Sequence, residues 1–351
     1  MARHLLILFL ALAAPLHAQN RVLELDGDGD FVELPRGIFN HLTEATVEGW
    51  VRFDEFRFWA PFISFGKAKS SLGFNHRRHT ATLQFFISRN RLAGTDLIRI
   101  HEGLQPEQWV HLAGVTGPGG MALYINGTLA GQRDYTGSFA DIDSSGHRNY
   151  LGRPHLARNA HMRGALDEVR VWGVARTGAQ IRDAMFRPLR GDEAGLIGLW
   201  NFDAGDARDS APNGHHGQLF GDARTVERPF FAPDEVVAPA AINGAVYDSE
   251  GLPLRGARVH ARQRGETGQA VGTNAAGQYR LAVYARDSLD VHAEWQGMRL
   301  DPGRVRVAAG EERRLDWRVL PRAAISGRIW TLGAAPQQGV VVQLVRAERG
   351  A

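Results

Sequence analysis

Three carboxylates at alternate positions, Glu24, Asp26 and Asp28, open the informative part of the chain. On a strand they share one face, and paired carboxyl groups are what glycoside hydrolysis uses as acid and as nucleophile or base. The row runs into Gly27 and Gly29 and stands near the N-terminal edge rather than on a central strand, so no catalytic residue is assigned. Asp26, Asp28 and Asp30 also imitate the start of an EF-hand loop. That loop needs Gly at its sixth place and Glu at its twelfth, and these are Phe31 and Gly37. Carboxylates can still hold Ca²⁺ if other segments complete about six to eight oxygens; Asp203, Asp209 and the Asn213-Gly214-His215 turn are the candidates.

Histidine is frequent, with 14 residues. His76-Arg77-Arg78-His79, His215-His216 and His111 include no His-Glu-x-x-His pair and no spacing that supplies a third ligand, so they are read as structural rather than as zinc ligands. Neither a Gly-x-Ser-x-Gly elbow nor a phosphate loop is present. Trp50, Trp109, Trp172 and Trp200 read as core anchors. Trp59, Tyr150, Arg77 and Arg78 are the candidates for an exposed ligand-binding platform, where a ring can stack on a sugar face while guanidinium groups tie its hydroxyls.

The elements that must position these residues are mostly strands. Gly164–Trp172 alternates with period two, placing Asp167, Val169 and Val171 on one face and Leu166, Glu168, Arg170 and Trp172 on the other. Alternation or apolar runs also predict strands at 22–25, 31–34, 46–53, 58–65, 81–88, 96–101, 109–116, 121–125, 149–152 and 196–202. Asn126-Gly127 is a strong hairpin signal. Thr177-x-x-Gln180 has capping-box spacing and begins the one convincing helix, which Pro188 and Gly191 end. Many short strands with one short helix predict an antiparallel, all-β sandwich.

Composition narrows the class. With 44% hydrophobic and 23% charged residues the chain is globular, and 41 glycines favour turns and strands. A net charge of +3, evenly spread, gives no electrostatic footprint for nucleic acid. Arg3 and His4 precede the apolar run Leu5–Ala14, and small residues reach Ala18: the layout of a signal peptide over 1–18. This predicts an extracytoplasmic protein, secreted, periplasmic or at the cell surface. The apolar run is about half the ~20 residues of a spanning helix, so no membrane span is predicted. The absence of cysteine excludes disulfides and thiolate sites.

A resemblance emerges from seven blocks in order: Leu25-Asp26-Gly27 with Phe31-Val32, Val47–Val51, Trp109–Val115, Leu123–Gly127, Gly164–Trp172, Leu199–Asp203 and Asp209–Gly217. Together they resemble LamG-like (laminin-G/pentraxin-type) jelly rolls of the concanavalin A-like lectin/glucanase superfamily, over about residues 19–227. Glycosidases of that broad fold carry a row like Glu24-x-Asp26-x-Asp28 that ends in Glu, which this chain lacks. The resemblance also implies a calcium ion, with Asp26, Asp209, Asn213 and Asp167 as its ligands, because the terminal strands of such a roll lie side by side.

Residues 228–241 read as a linker. Over 242–320, Ile242–Asp248, Gly251–Val259 and Thr273–Leu281 resemble a carboxypeptidase regulatory-like (transthyretin-like) β-sandwich, although Asn274 replaces a frequent Asp and the usual Pro-Gly turn is missing near 284–290. A shift of 83 residues carries Ile242, Gly244, Val246, Tyr247, Pro253, Gly256 and Val259 onto Ile325, Gly327, Ile329, Trp330, Pro336, Gly339 and Val342. Residues 321–351 are thus expected to be part of a second copy, and the chain a fragment of a longer protein. The functional expectation is an exported, non-catalytic binding or adhesion protein, its LamG-like module recognising a carbohydrate or an extracellular protein and its small sandwiches acting as spacers. The alternatives are a polysaccharide-acting hydrolase of the same fold and the sensory ectodomain of a membrane receptor.

Overall fold

A computed structural model describes residues 20–90, 94–101, 103–142, 145–233, 240–262, 269–283, 288–308 and 310–319. The expected signal segment 1–18 and the expected second copy at 321–351 lie outside them. Among the described residues no helix is long and apolar enough to cross a membrane.

The first fifteen strands are β1 (Arg21–Asp26), β2 (Phe31–Leu34), β3 (Ala45–Phe53), β4 (Pro61–Lys67), β5 (Ser70–His76), β6 (Leu83–Asn90), β7 (Gly94–Ile100) and β8 (Trp109–Thr116), followed by β9 (Met121–Ile125), β10 (Thr128–Arg133), β11 (Arg148–Leu151), β12 (Arg163–Trp172), β13 (Leu196–Trp200), β14 (Gln218–Phe220) and β15 (Arg224–Glu227). They make two sheets, ordered β10-β9-β8-β3-β12-β1-β15, with β13 also on β12, and β14-β2-β11-β4-β5-β6-β7. Between them lies a core that includes Leu23, Phe53, Phe62, Phe74, Phe85, Leu112, Leu166 and Trp200, all buried. The predicted all-β sandwich is therefore the observed one. The strand β5 escaped the sequence reading because Ser70-Ser71-Leu72-Gly73 carries little β propensity.

The strand β12 departs from simple alternation. Asp167 faces Trp50 and Arg170 faces Glu48, so Glu168 and Val169 together oppose only Gly49. This is a β-bulge, and Glu168 has φ +49°. The extra residue reverses the faces. Leu166 before it and Val169 and Val171 after it all enter the inter-sheet core, which corrects the predicted grouping of Leu166 with Glu168 and Arg170. A Cβ on Gly49 would stand 2.9 Å from the Phe62 ring and 3.2 Å from the Val169 Cα, so glycine is what the bulge leaves room for. The bulge also divides one edge of β12: β1 pairs with residues 163–166, and β13 with 169–172. β1 and β13 thus lie end to end on one neighbour rather than side by side as expected, and the late strand that does pair with β1 is β15.

The outer face of this sheet is covered, not solvated. The helix α1 (Gly178–Met185) begins with the predicted cap, in which the Gln180 amide donates to Thr177 Oγ1 at 3.3 Å and the Thr177 amide to Gln180 Oε1 at 2.8 Å. Beneath it, buried Arg170 donates to Glu168 Oε2 at 2.6 Å and to the carbonyls of Ala184 and Arg187 at 3.1 and 2.9 Å. Glu48 accepts from the Trp172 indole at 2.8 Å and from Arg176 at 2.9 Å. The Asn126-Gly127 turn has positive φ at both residues, as its hairpin type demands. Past β15 the chain returns over this face: Phe231 is buried and stacks on Trp50 at 4.2 Å, so the predicted linker begins with an anchored segment.

A second pair of sheets has its own core around Ile242, Val259, Tyr279, Val291 and Trp317. One sheet joins β16 (Ala240–Tyr247), β19 (Gln278–Val283), β22 (Glu312–Arg314) and β23 (Trp317–Arg318). The other has the order β18 (Gln269–Gly272), β17 (Arg258–Arg262), β20 (Ser288–Trp295), β21 (Met298–Arg306).

Candidate functional site

The chemistry-bearing surface lies on the outer face of the second jelly-roll sheet. Residues Leu72, Phe74, Phe85, Ile87, Ile98 and Ile100 point into the core, so their neighbours in β5, β6 and β7 point outward. Register arranges these into three rungs. Pro61, Asn75, Gln84 and Arg99 lie opposite one another; next come Ser64, Gly73, Phe86 and Leu97; then Gly66, Ser71, Ser88 and Thr95. The result is a polar rung, an apolar rung with one aromatic ring, and a hydroxyl rung.

The polar rung is internally braced. With its amide oriented to satisfy both neighbours, Gln84 donates to Asn75 Oδ1 at 3.1 Å and accepts from Arg99 Nε and Nη2 at 2.8 and 3.0 Å. In the hydroxyl rung Thr95 donates to Ser88 Oγ at 3.1 Å, and Ser88 donates to the Lys69 carbonyl at 3.1 Å. Gly73 lets the middle of the floor lie low: a side chain there would collide with the Ile63 carbonyl and press on Phe86.

Walls turn this floor into a groove of about 350 Å³. One is the segment carrying Pro154, His155, Leu156, Arg158 and Asn159, tied back where the Ala160 amide donates to the Phe58 carbonyl at 2.8 Å. Another is Trp59, at φ +54°, whose amide donates to the Arg78 carbonyl at 3.3 Å. A bulky residue at positive φ is held there by its surroundings. Among the described residues the lining carries the cations Lys69, Arg99 and Arg158 and no Asp or Glu. Burial lowers the His155 pKa to about 4, so its imidazole is neutral at pH 7 and Arg158 is the cation of that wall.

Of the predicted platform residues, Trp59 lines the groove. Arg77 and Arg78 sit in the adjoining exposed turn, outside the lining. Tyr150 shares the outer face with Ser64 but is covered, with His155 at 5.2 Å, Phe31 at 5.5 Å and the Arg153 guanidinium 4.8 Å from its ring. It supports the wall. Asn75, Gln84, Phe86 and Arg99 were missed in the sequence: Asn75 lies on β5, which was not predicted, and the other three are the outward-facing positions of the predicted strands at 81–88 and 96–101.

The four residues expected to share calcium are not brought together. Asp209 is spent on backbone amides: Oδ1 accepts from Leu199 and Ala211 at 2.8 Å each, and Oδ2 from His215 at 2.9 Å. Asn213 donates to the Ile197 carbonyl at 2.8 Å. Asp167 is buried beside the bulge, accepting from Asn20 at 3.0 Å and from the Glu168 amide at 2.7 Å. Burial, then the Glu168 carboxylate, holds its pKa well above the usual range. Asp26 instead approaches Asp30 and Asp222, and Asp30 already accepts from the amides of Asp26 and Asp222 at 3.1 and 2.8 Å. A calcium ion on Asp26, Asp209, Asn213 and Asp167 does not fit this geometry. Nor is His111 a ligand; it is fully buried against Trp50, and burial pushes its pKa well down.

Residues 26–182, under half of the chain, match the family model of the Concanavalin A-like lectin/glucanases superfamily. The two sheets described above are a sandwich of that fold, and residues 26–182 are similar to the LamG-like domains of the superfamily. Among solved structures the chain is similar to a candidate carbohydrate-binding protein from Bacteroides ovatus, at 18% identity and TM-score 0.49, covering 61% of this chain and 62% of that one. It is also similar to the heptameric SAP-like pentraxin of Limulus polyphemus, at 16% identity and TM-score 0.36, over 48% and 82% of the two chains. A third is the CBM40 of the Ruminococcus gnavus IT-sialidase bound to α2,3 sialyllactose, at 11% identity and TM-score 0.40, over 47% and 96%. The ligands in these names are those of the proteins compared. No curated protein matches the chain by sequence.

Proposed function

We propose that this chain is an exported, non-catalytic binding protein whose LamG-like domain holds a saccharide in the groove over β4 to β7. The observation that carries this reading is the composition of one surface. A half-buried Phe86 and Trp59 offer apolar faces for a pyranose ring, and Asn75, Gln84, Arg99, Ser88 and Thr95 offer fixed donors and acceptors beside them. Three cations without a carboxylate favour a glycan that carries acid groups. The second sandwich, with its resemblance to carboxypeptidase regulatory-like domains, serves as a spacer. Export rests on the charged, apolar and small-residue order of residues 1–18.

The hydrolase alternative lacks its parts at this surface. Hydrolysis needs two carboxyl groups about 5–9.5 Å apart around the bond, and the lining contains none. Glu24 lies in the other sheet, paired with Arg224 at 3.1 Å. The test is a glycan array probed with the whole chain, followed by titration of the best acidic and neutral glycans. Binding should fall at least tenfold in Trp59→Ala and in Arg99→Gln while Arg77→Gln stays near wild type. Retained affinity in both groove variants would place the ligand elsewhere.

A further inference from the structure

The second sandwich carries a side-chain cluster that the groove does not involve. In β17, Val259 and Ala261 enter the core, so His260 points outward. In β20, Val291 and Ala293 do the same, so His292 and Glu294 point outward. Register then sets His260 directly opposite His292. Their imidazoles stack in parallel, centroids 4.6 Å apart and interplanar angle 0°. Glu294, one pleat further along the same face, reaches both rings: Oε2 is 3.5 Å from His260 Nε2, and Oε1 is 3.3 Å from His292 Nε2.

We propose that His260, His292 and Glu294 form a binding site for a divalent transition metal of the zinc class. Zinc bonded to imidazole nitrogen and carboxylate oxygen at about 2.0–2.2 Å in a tetrahedron requires its ligand atoms to stand about 3.3–3.5 Å apart. One candidate ligand atom from each residue lies within 4.8 Å of the others, and each imidazole Nε2 is 3.3–3.5 Å from one of the two Glu294 oxygens. The parallel rings close on a shared ion by rotating about their side-chain torsions, with one Glu294 oxygen completing the set. The ligand set, two imidazoles and one carboxylate, suits zinc, nickel or copper better than calcium or magnesium.

Two further features separate this cluster from an ordinary surface histidine pair. The first is unsatisfied polarity: His260 Nε2, the nitrogen that faces Glu294, is buried and makes no hydrogen bond. An ion would give that nitrogen the partner it lacks. The second is graded exposure. The His292 side chain is 8% exposed, that of His260 26% and that of Glu294 45%, so the cluster is fixed at its base and open at its rim. Three protein ligands with one open side are the arrangement that leaves a coordination position for water or for a group on a partner. Opposing this, Arg258 and Arg299 lie opposite Glu294 on the flanking strands. Their charge weakens a dication, which sets the expected affinity in the micromolar range.

The whole chain, stripped with chelator and titrated with ZnCl₂ by calorimetry at pH 7.5, should take up one equivalent at a Kd of about 1–10 μM, with His260→Gln and Glu294→Gln each weakening it at least tenfold. Both substitutions fall on the open rim, and metal-free melting curves within about 2 °C of wild type will show that they fold. Cu²⁺ provides a second readout, its electron spin resonance showing coupling to two imidazole nitrogens in the wild type and to one in His260→Gln. Zinc binding that is unchanged in both variants, or no equivalent tighter than about 100 μM in the wild type, overturns the site. Because none of these residues touches the groove, either result leaves the saccharide reading to its own test.

Discussion

Asp209 shows how a residue suited to one chemistry is used for another. Its carboxylate accepts from three backbone amides, one on β13 and two in the segment that follows Asp209, a set of hydrogen bonds that holds the Leu199–His215 segment together. Charge-assisted bonds of this kind contribute about 1.5–3 kcal/mol each when a partner is removed. Asp209→Ala should therefore lower stability by roughly 3 kcal/mol, and by the same amount with or without CaCl₂, as chemical denaturation would measure. A calcium-dependent difference would restore the ion to this turn. The same distinction applies to Tyr150, an aromatic that looks like a platform in sequence but braces a wall in the fold. Trp59 is the converse: its positive φ and the groove beside it join one of the predicted residues to the surface where binding is proposed.

At the scale of elements, the bulge in β12 decides how the jelly roll closes. It reverses the strand's faces, separates the pairing of β1 from that of β13, and leaves Asp167 and Glu168 buried at the junction. Arg170 compensates that charge and also accepts the task of binding the carbonyls at the end of α1. Truncation would leave Glu168 without its buried partner, while Glu48, 3.9 Å from the guanidinium, would keep Arg176 at 2.9 Å. Arg170→Ala should cost about 3–5 kcal/mol, seen as a large fall in the denaturation midpoint. Arg170→Met with Glu168→Leu should recover much of it, because removing both charges removes the desolvation cost. The strands around this bulge were legible from alternation, and the helix from its cap. The bulge was not, because an inserted residue looks identical to its neighbours until a partner strand shows the mismatch.

For the whole molecule, acid is the informative perturbation. Burial depresses the pKa of His76 and of His155 from 6.5 to about 4, and holds that of His111 well below its ordinary value. The unfolded chain therefore binds more protons than the native one between these limits. Stability from these groups is fully present above pH 6.5 and is lost as pH falls from 6.5 towards 4, on the order of 3 kcal/mol for His76 and His155 each. Melting temperature should drop steeply across that window, and His76→Leu should flatten the profile. Phe231 tests closure of the jelly roll's outer face: Phe231→Ala removes the ring stacked on Trp50 and should cost about 3–4 kcal/mol.

The sequence by itself determined the all-β class, most of the strands, the Asn126-Gly127 hairpin and the capped helix. Each depends on residues close together in the chain, where side-chain period and turn chemistry act directly. It also placed Trp59 among the binding candidates. Tertiary structure alone decided which polar residues meet. Asn75, Gln84 and Arg99 form one rung, His260 and His292 stack, and Asp26 and Asp209 stay apart, because strand register and the bulge, set by long-range packing, determine which distant side chains share a face.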